Sequence, residues 1–332
     1  MNIAVVGAGA VGSVIAGRLK TKGVDVSLVG RGGHLRAIAQ NGLLVRYPDG
    51  VECVNLATFR HLDREYDLVI FASKVNDLED LYQENHCYLE NCLVMTVQSG
   101  VQGANVLSCH FEPEKMIDSH IGFYVTLLKP GEVSLDKSGP WILGRPYTAR
   151  DTVLSDVADC LSPAFEIDLT DDITAMKWLA LMTDFFYCLP AVTGKSVEDV
   201  LADSALRVVM IRLFREALGI IQTAGIPMAS LPYFSADKLT ALTEGPPEAA
   251  ARLISSQMLH DARRHSHGHL WQSIIRKRAS EIDFINGEIT QVARSLRVPA
   301  PLNETLVQMV HHVEQTGGFF DEHDVVQQLT KE

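Results

Sequence analysis

The stretch Gly7-Ala8-Gly9-Ala10-Val11-Gly12 has G-x-G-x-x-G spacing and stands directly after the apolar run Ile3 to Val6. Each glycine has a separate steric task there. Gly7 turns the chain tightly off a strand, Gly9 lets backbone approach a pyrophosphate, and Gly12 lets the next helix lie close to the strand. The N-terminus of that helix presents unpaired N–H groups and a partial positive charge, which suit phosphate oxygens. A second apolar run, Val24 to Val29, follows at the distance a βαβ unit requires. At its end an acidic residue would accept a ribose 2′-hydroxyl, but this chain has Gly30-Arg31, with Arg36 a little further on. A planar guanidinium suits a 2′-phosphate. The pattern therefore predicts NADP(H), held by Gly7, Ala8, Gly9, Ala10, Val11, Gly12 and Arg31.

Lys74 follows the run Tyr66 to Ala72, and Gln98-Ser99-Gly100 follows the run Cys92 to Val97. Ligands of an open α/β sheet bind beyond the carboxyl ends of its strands, so Lys74, Gln98, Ser99 and Gly100 are expected along the same cofactor.

The elements that must position these residues can be read from periodicity. Strand-like and helical segments alternate as far as Leu169, with β-like pieces at Leu43 to Tyr47, Val51 to Leu56, His120 to Leu128, Gly131 to Leu135, Pro140 to Leu143 and Phe165 to Leu169. From Thr170 the pattern is helical: Asp172 to Ala191, then Ser196 to Thr223 with Ser196 and Asp199 as a cap, then His269 to Leu296, then a helix after Pro301. The expected fold class is α/β, an N-terminal Rossmann-type dinucleotide-binding domain over 1–169 followed by an all-α C-terminal domain over 170–332.

The composition narrows the classes of partner. In 332 residues, 47% are hydrophobic and 21% charged, which fits a compact protein with proper cores. A net charge of −12 argues against nucleic acid or an anionic membrane as partner, since both require a basic surface. No apolar stretch has transmembrane length and none reads as a leader, so a cytoplasmic location is expected. The six cysteines lack CxxC pairs, which fits reduced thiols. Alternating histidines in His260-Asp261-Ala262-Arg263-Arg264-His265-Ser266-His267-Gly268-His269 invite a metal reading. On a loop running into a helix they need not converge, so no metal is expected and the run reads as a basic edge that attracts a substrate anion.

The glycine turn with Arg31, Lys74, Gln98-x-Gly100, the segment Ser280-Glu281-Ile282-Asp283-Phe284-Ile285-Asn286-Gly287 and the later Val298-Pro299-Ala300-Pro301-Leu302-Asn303-Glu304 together resemble the ketopantoate reductase family over nearly the whole chain. The resemblance implies reduction of 2-dehydropantoate to pantoate, or of a related anionic 2-oxo acid, with NADPH, on a Rossmann domain joined to a helical one. It also implies that Glu281 binds the substrate hydroxyl, and that the helical domain over 170–332 holds the substrate and any homodimer contact.

Other family positions differ in this chain. The asparagine of the family's QNG turn is Ser99 here, a hydroxyl in place of an amide. The family's domain-opening helix carries a proton-donating lysine and two asparagines. In this chain the lysine column falls on Leu179 or Trp178, both asparagines are replaced, and Lys177 is the only lysine of that helix. A helix rotation or a one-residue shift would let Lys177 supply the ammonium, and burial beside a cofactor would bring its pKa toward neutrality. Against this stands a surface lysine on an amphipathic helix. For Glu281 the bland alternative is a helix-surface glutamate paired with Lys277.

Thr183 and Tyr187, on one face at i,i+4, replace the asparagines as substrate contacts, and a serine expected before the SEIDFING segment falls near His269. Ser99, Thr183, Tyr187 and His269 are thus the expected substrate-binding set. These departures also admit a reductase for an imine or another 2-oxo acid, and a catalytically divergent NADP(H)-binding sensor or scaffold.

Overall fold

The computed structural model describes residues 1–243, 246, 249–250 and 267–330. The chain divides into two compact units, Met1–Thr174 and Ala175–Glu332.

The first unit runs β1 (Asn2–Val6), α1 (Ala10–Thr21), β2 (Asp25–Val29), α2 (Gly32–Asn41), β3 (Leu43–Tyr47), β4 (Gly50–Val54), β5 (Ala57–Phe59), β6 (Leu68–Phe71), α3 (Leu78–Asn85), β7 (Leu93–Thr96), α4 (Gln102–Ser108), β8 (Met116–Ile121), β9 (Tyr124–Lys129), β10 (Glu132–Lys137), β11 (Trp141–Gly144), α5 (Thr152–Leu161) and β12 (Ile167–Leu169). Eight strands form one sheet in the order β12-β11-β8-β7-β6-β1-β2-β5, and every pairing is parallel except β8 with β11. The chain leaves β1 toward β2 and returns to its other side with β6, so the strand order reverses there and opens a crevice beyond the carboxyl ends of β1 and β6.

Ile3 to Val6 of β1 and Leu68 to Phe71 of β6 are apolar and buried, as a parallel sheet covered on both faces requires, and the buried residues of β2 and β7 are apolar except for Ser27 and Thr96. A smaller sheet, β4-β3-β10-β9, covers α1 from the other side. α1 is therefore buried almost all round, and a Cβ on its Gly17 would stand 3.0 Å from Leu43 Cδ2. The expected strand His120 to Leu128 is two strands in different sheets. Gly122 separates them, its N–H donating to the Pro140 carbonyl at 2.8 Å, and any Cβ there would meet that same oxygen.

The second unit is helical: α6 (Ile173–Asp184, which starts in the first unit), α7 (Cys188–Thr193), α8 (Val197–Ala202), α9 (Ser204–Thr223), α10 (Ala236–Thr243), α11 (Gly268–Ile275), α12 (Asn286–Leu296), α13 (Pro301–Thr316) and α14 (Glu322–Thr330). The α/β first unit and helical second unit have the expected fold class.

Three long helices read from periodicity are each interrupted. Asp172 to Ala191 is α6 and α7 joined by a 3-10 turn, Phe185–Tyr187. Ser196 to Thr223 breaks at Asp203, whose carboxylate accepts from the Ala205 and Leu206 N–H groups at 2.8 Å and so starts α9 afresh, while Ser196 and Asp199 do form the capping box of α8. His269 to Leu296 is α11 and α12, because Lys277 takes a left-handed φ of 54° that no continuing helix accepts. Among the described residues no helix is long and apolar enough to cross a membrane.

Candidate functional site

In the first unit the expected phosphate cradle is built by contact distances. Gly7 has φ 120°, and a Cβ there would stand 2.5 Å from the Ala72 carbonyl carbon and the Ser73 nitrogen, so the turn presses against the chain leaving β6. A Cβ on Gly12 would lie 2.1 Å from the Gly7 carbonyl oxygen. Gly9 is different: a Cβ there would meet nothing within 4 Å. The chain is closed at Gly7 and Gly12 and open at Gly9, at the N-terminus of a helix whose first turn has no acidic residue and no side-chain cap. The open side of Gly9 and the uncapped N–H groups behind it fit the size and charge of a pyrophosphate.

Gly30 is held as tightly as Gly7, since its Cβ would stand 2.6 Å from Ala8 Cβ. The next side chain, Arg31, is exposed and its Nη1 lies 3.3 Å from Glu84 Oε1 of α3; His61 Nδ1 is 3.9 Å from Glu84 Oε2. Lys74 is half-buried and precedes a short 3-10 turn, Val75–Asp77, at the end of β6. Gln98 points inward: its amide nitrogen donates to the Phe71 carbonyl at 2.6 Å and the Ser73 carbonyl at 3.0 Å, lacing the ends of β6 and β7 together. Ser99 is exposed, and Gly100 turns with φ 76°.

In the second unit Lys177 is only 1% exposed, among the largest fully buried side chains of the chain, so the surface-lysine alternative does not hold. Trp178 and Leu179, one or other of which is expected in the family's lysine column, are both buried. Thr183 is buried and its hydroxyl donates to the Ala180 carbonyl at 2.7 Å, so it is committed to its own helix. Tyr187 lies in the 3-10 turn, so the i,i+4 face expected with Thr183 is not kept.

Tyr187 meets His269 instead, with ring centroids 5.4 Å apart at 72°. The approach depends on Gly268, φ 78°, where a Cβ would stand 2.2 Å from Tyr187 Cδ1. His267 stacks on Trp271 at 4.3 Å, and His260 to Ser266 lie outside the described residues.

Glu281 is half-buried and precedes the 3-10 turn Ile282–Phe284; it lies on no helix, so the i,i−4 pairing with Lys277 is overturned. Its neighbours are anchored on α13. The Ser280 N–H donates to Glu314 Oε1 at 2.7 Å, and His311 holds Glu314 Oε2 at 2.9 Å with Nδ1 and Asp283 Oδ1 at 3.0 Å with Nε2. Both ring nitrogens face carboxylates, an arrangement that favours the imidazolium, in which both donate. Burial by itself would lower the His311 pKa, but Glu314 and Asp283 outweigh it and raise the value.

Sequence reasoning missed this clasp, and it missed what joins the two motifs that carried the resemblance. Asn286 Nδ2 donates to Asn303 Oδ1 at 2.8 Å, and Asn303 Nδ2 donates to Glu216 Oε1 at 2.8 Å. Glu216 also accepts from the Leu302 and Asn303 N–H groups and so caps α13 from α9. Cys188 donates its thiol hydrogen to Asn286 Oδ1, and burial holds that thiol well above its ordinary pKa range. The signal available in the sequence was a pair of asparagines beside helix starts, which periodicity cannot pair.

Comparison with known proteins covers both units. Over 321 residues the chain is 24% identical to a 2-dehydropantoate 2-reductase from Pyrococcus horikoshii, covering 96% of this chain and 99% of that one. Among solved structures it is similar to a D-mandelate dehydrogenase with NADH and anilino(oxo)acetate (TM-score 0.82, 20% identity, 95% of this chain and 99% of that one). It is also similar to a PanE/ApbA family ketopantoate reductase from Ralstonia eutropha JMP134 (TM-score 0.78, 23% identity, again 95% and 99%). Residues 3–146 match the family model of ketopantoate reductase PanE/ApbA and residues 172–314 match its C-terminal model. With both halves matched over most of its length, the chain belongs to the ketopantoate reductase PanE/ApbA family.

Proposed function

We propose that this protein is an NADPH-dependent reductase of 2-oxo acids, converting 2-dehydropantoate to pantoate. The observation that carries the reading is the cradle closed at Gly7 and Gly12 and open at Gly9, on a chain matched in both halves to this family. When bound, the nicotinamide supplies a hydride to the 2-oxo carbon. The chain must do the rest: hold the dinucleotide, hold the substrate anion and move one proton.

The first unit is the cofactor domain. The α1 N-terminus and the backbone of Gly7, Ala8, Gly9, Ala10, Val11 and Gly12 receive the pyrophosphate, and Arg31 donates to the 2′-phosphate. Lys74, Ser99 and Gly100 line the far end of the crevice, with Gln98 as the brace that holds β6 and β7 in register for them.

The second unit is the substrate domain. Lys177 Nζ donates the proton that turns the developing alkoxide into a hydroxyl, and Glu281 accepts the hydrogen of that hydroxyl. Tyr187 and His269 together form a substrate wall, while Thr183 supports it through the helix it bonds to. The free cysteines suit a reducing cytoplasm.

The test is NADPH oxidation with 2-dehydropantoate and a panel of aliphatic and aryl 2-oxo acids. Turnover with 2-dehydropantoate at the highest kcat/KM of the panel is expected. Preference for an aryl 2-oxo acid would move the substrate assignment, and nucleotide binding without turnover on any acid would overturn the enzyme reading in favour of a sensor.

A further inference from the structure

The strand-end acid that reads a free ribose 2′-hydroxyl in dinucleotide folds has no room at position 30. Any Cβ there would stand 2.6 Å from Ala8 Cβ and 3.0 Å from the Ala8 nitrogen, inside the phosphate turn itself. Position 31 is arginine. A carboxylate is nonetheless present beside it, brought from another element: Glu84, in the last turn of α3, puts Oε1 3.3 Å from Arg31 Nη1 and Oε2 3.9 Å from His61 Nδ1. His61 follows β5, the strand beside β2, and Gly30 donates its N–H to the Phe59 carbonyl of that strand, so the three side chains share one corner of the sheet. The Arg31 side chain is 58% exposed and that of Glu84 34%, so both can rearrange in water.

We propose that Glu84 sets the cofactor preference, by holding Arg31 as an internal stand-in for the 2′-phosphate and by offering the 2′-hydroxyl of NAD(H) the acceptor that position 30 cannot carry. This rests on the NADP(H) reading of Arg31. Arg31 can donate to a 2′-phosphate only by loosening its contact with Glu84, and the phosphate would then sit beside a carboxylate of its own sign. A ribose with a free 2′-hydroxyl meets neither obstacle: the hydroxyl donates to Glu84 while Arg31 stays paired. Glu84 therefore weakens NADPH binding, strengthens NADH binding and narrows the gap between them.

The experiment is a fluorescence titration of the full-length chain with NADPH and, separately, NADH, for the wild type, Glu84→Gln, Glu84→Lys and Arg31→Ala, with a melting curve for each. Glu84→Gln is expected to tighten NADPH by about 5- to 10-fold and to loosen NADH by about 3-fold, with Glu84→Lys moving the ratio further the same way. Arg31→Ala is expected to loosen NADPH far more than NADH. If both Glu84 variants leave the ratio of the two affinities unchanged while Arg31→Ala still discriminates, Glu84 has no role in preference and the NADP(H) reading stands. If Arg31→Ala loosens both nucleotides equally, Arg31 is not the phosphate ligand and both readings fall together.

Discussion

In the proposed reaction Lys177 gives the proton and Glu281 binds the product hydroxyl, and the two stand in different local situations, one fully buried and one half-buried. Lys177 is the only lysine of α6 and is 1% exposed, while Trp178 and Leu179 offer no ammonium, which is the physical reason to test Lys177 as the proton donor. Lys177→Met keeps the length and apolar stem and removes the donor. It is expected to lower kcat by about 10²–10⁴ while leaving NADPH affinity in place, as measured by steady-state rates beside a nucleotide titration. Glu281→Gln keeps the volume and removes the charged acceptor, so a fall in kcat/KM for the 2-oxo acid with unchanged NADPH binding is expected. If Lys177→Met is silent while Glu281→Gln is not, the proton comes from another group, with Tyr187, His269 and Lys74 the next to test.

At the scale of elements, Gly9 and Gly12 of the β1–α1 turn make separable predictions, because their Cβ positions meet different things. Gly12→Ala drives a methyl to 2.1 Å from the Gly7 carbonyl and must push α1 off β1, so it is expected to lower both the melting temperature and nucleotide affinity. Gly9→Ala adds a methyl with nothing within 4 Å, at an ordinary negative φ of −93°. It is expected to leave the melting temperature near wild type and to weaken NADPH about tenfold or more, because the methyl fills space that the pyrophosphate needs. Equal effects of the two on both measurements would show that Gly9 is packing and not cradle. In the second unit, Asn303→Ala leaves Asn286 and Glu216 short of buried partners across three helices, and a loss of about 1–3 kcal/mol in denaturant unfolding is expected.

At the scale of the whole molecule, the His311 clasp makes stability depend on pH. The His311 pKa is raised above 6.5, so its contribution is fully present below about 6.5 and is lost as the pH rises through the folded value. Burial alone would raise the Glu314 pKa, but Ser280 and His311 outweigh it and lower the value. Its contribution is therefore present above about 4.5 and is lost as the pH falls through the folded value. The clasp is strongest between these limits. Melting temperatures of the full chain from about pH 5 to about pH 8 should fall on the alkaline side, and His311→Gln should flatten that fall. A wild-type decline that persists unchanged in His311→Gln would assign it elsewhere.

What the sequence determined by itself was whatever depends on local spacing. The glycine turn, the parallel strands, the Ser196 and Asp199 cap and the start of the helix at Pro301 could all be read, because each rests on residues within a few positions of one another. The passage from an α/β half to a helical half could be read for the same reason, since a period of two or of 3.6 is a local property.

Tertiary structure decided the matters that depend on distant partners. Three helices were read as continuous and are broken, at Asp203, at Lys277 and at the 3-10 turn before Cys188, because capping and backbone torsion there override an unbroken apolar period. Lys177 could be placed on a helix but not inside the protein, since burial is set by what the rest of the fold lays over that face. Glu84 near Arg31, Asn286 on Asn303 and His311 between Glu314 and Asp283 join residues that only the fold makes neighbours. Hydrogen bonds and ion pairs between distant positions leave no periodic trace in a single chain, so these contacts existed for the reader only once the strands and helices had been folded together.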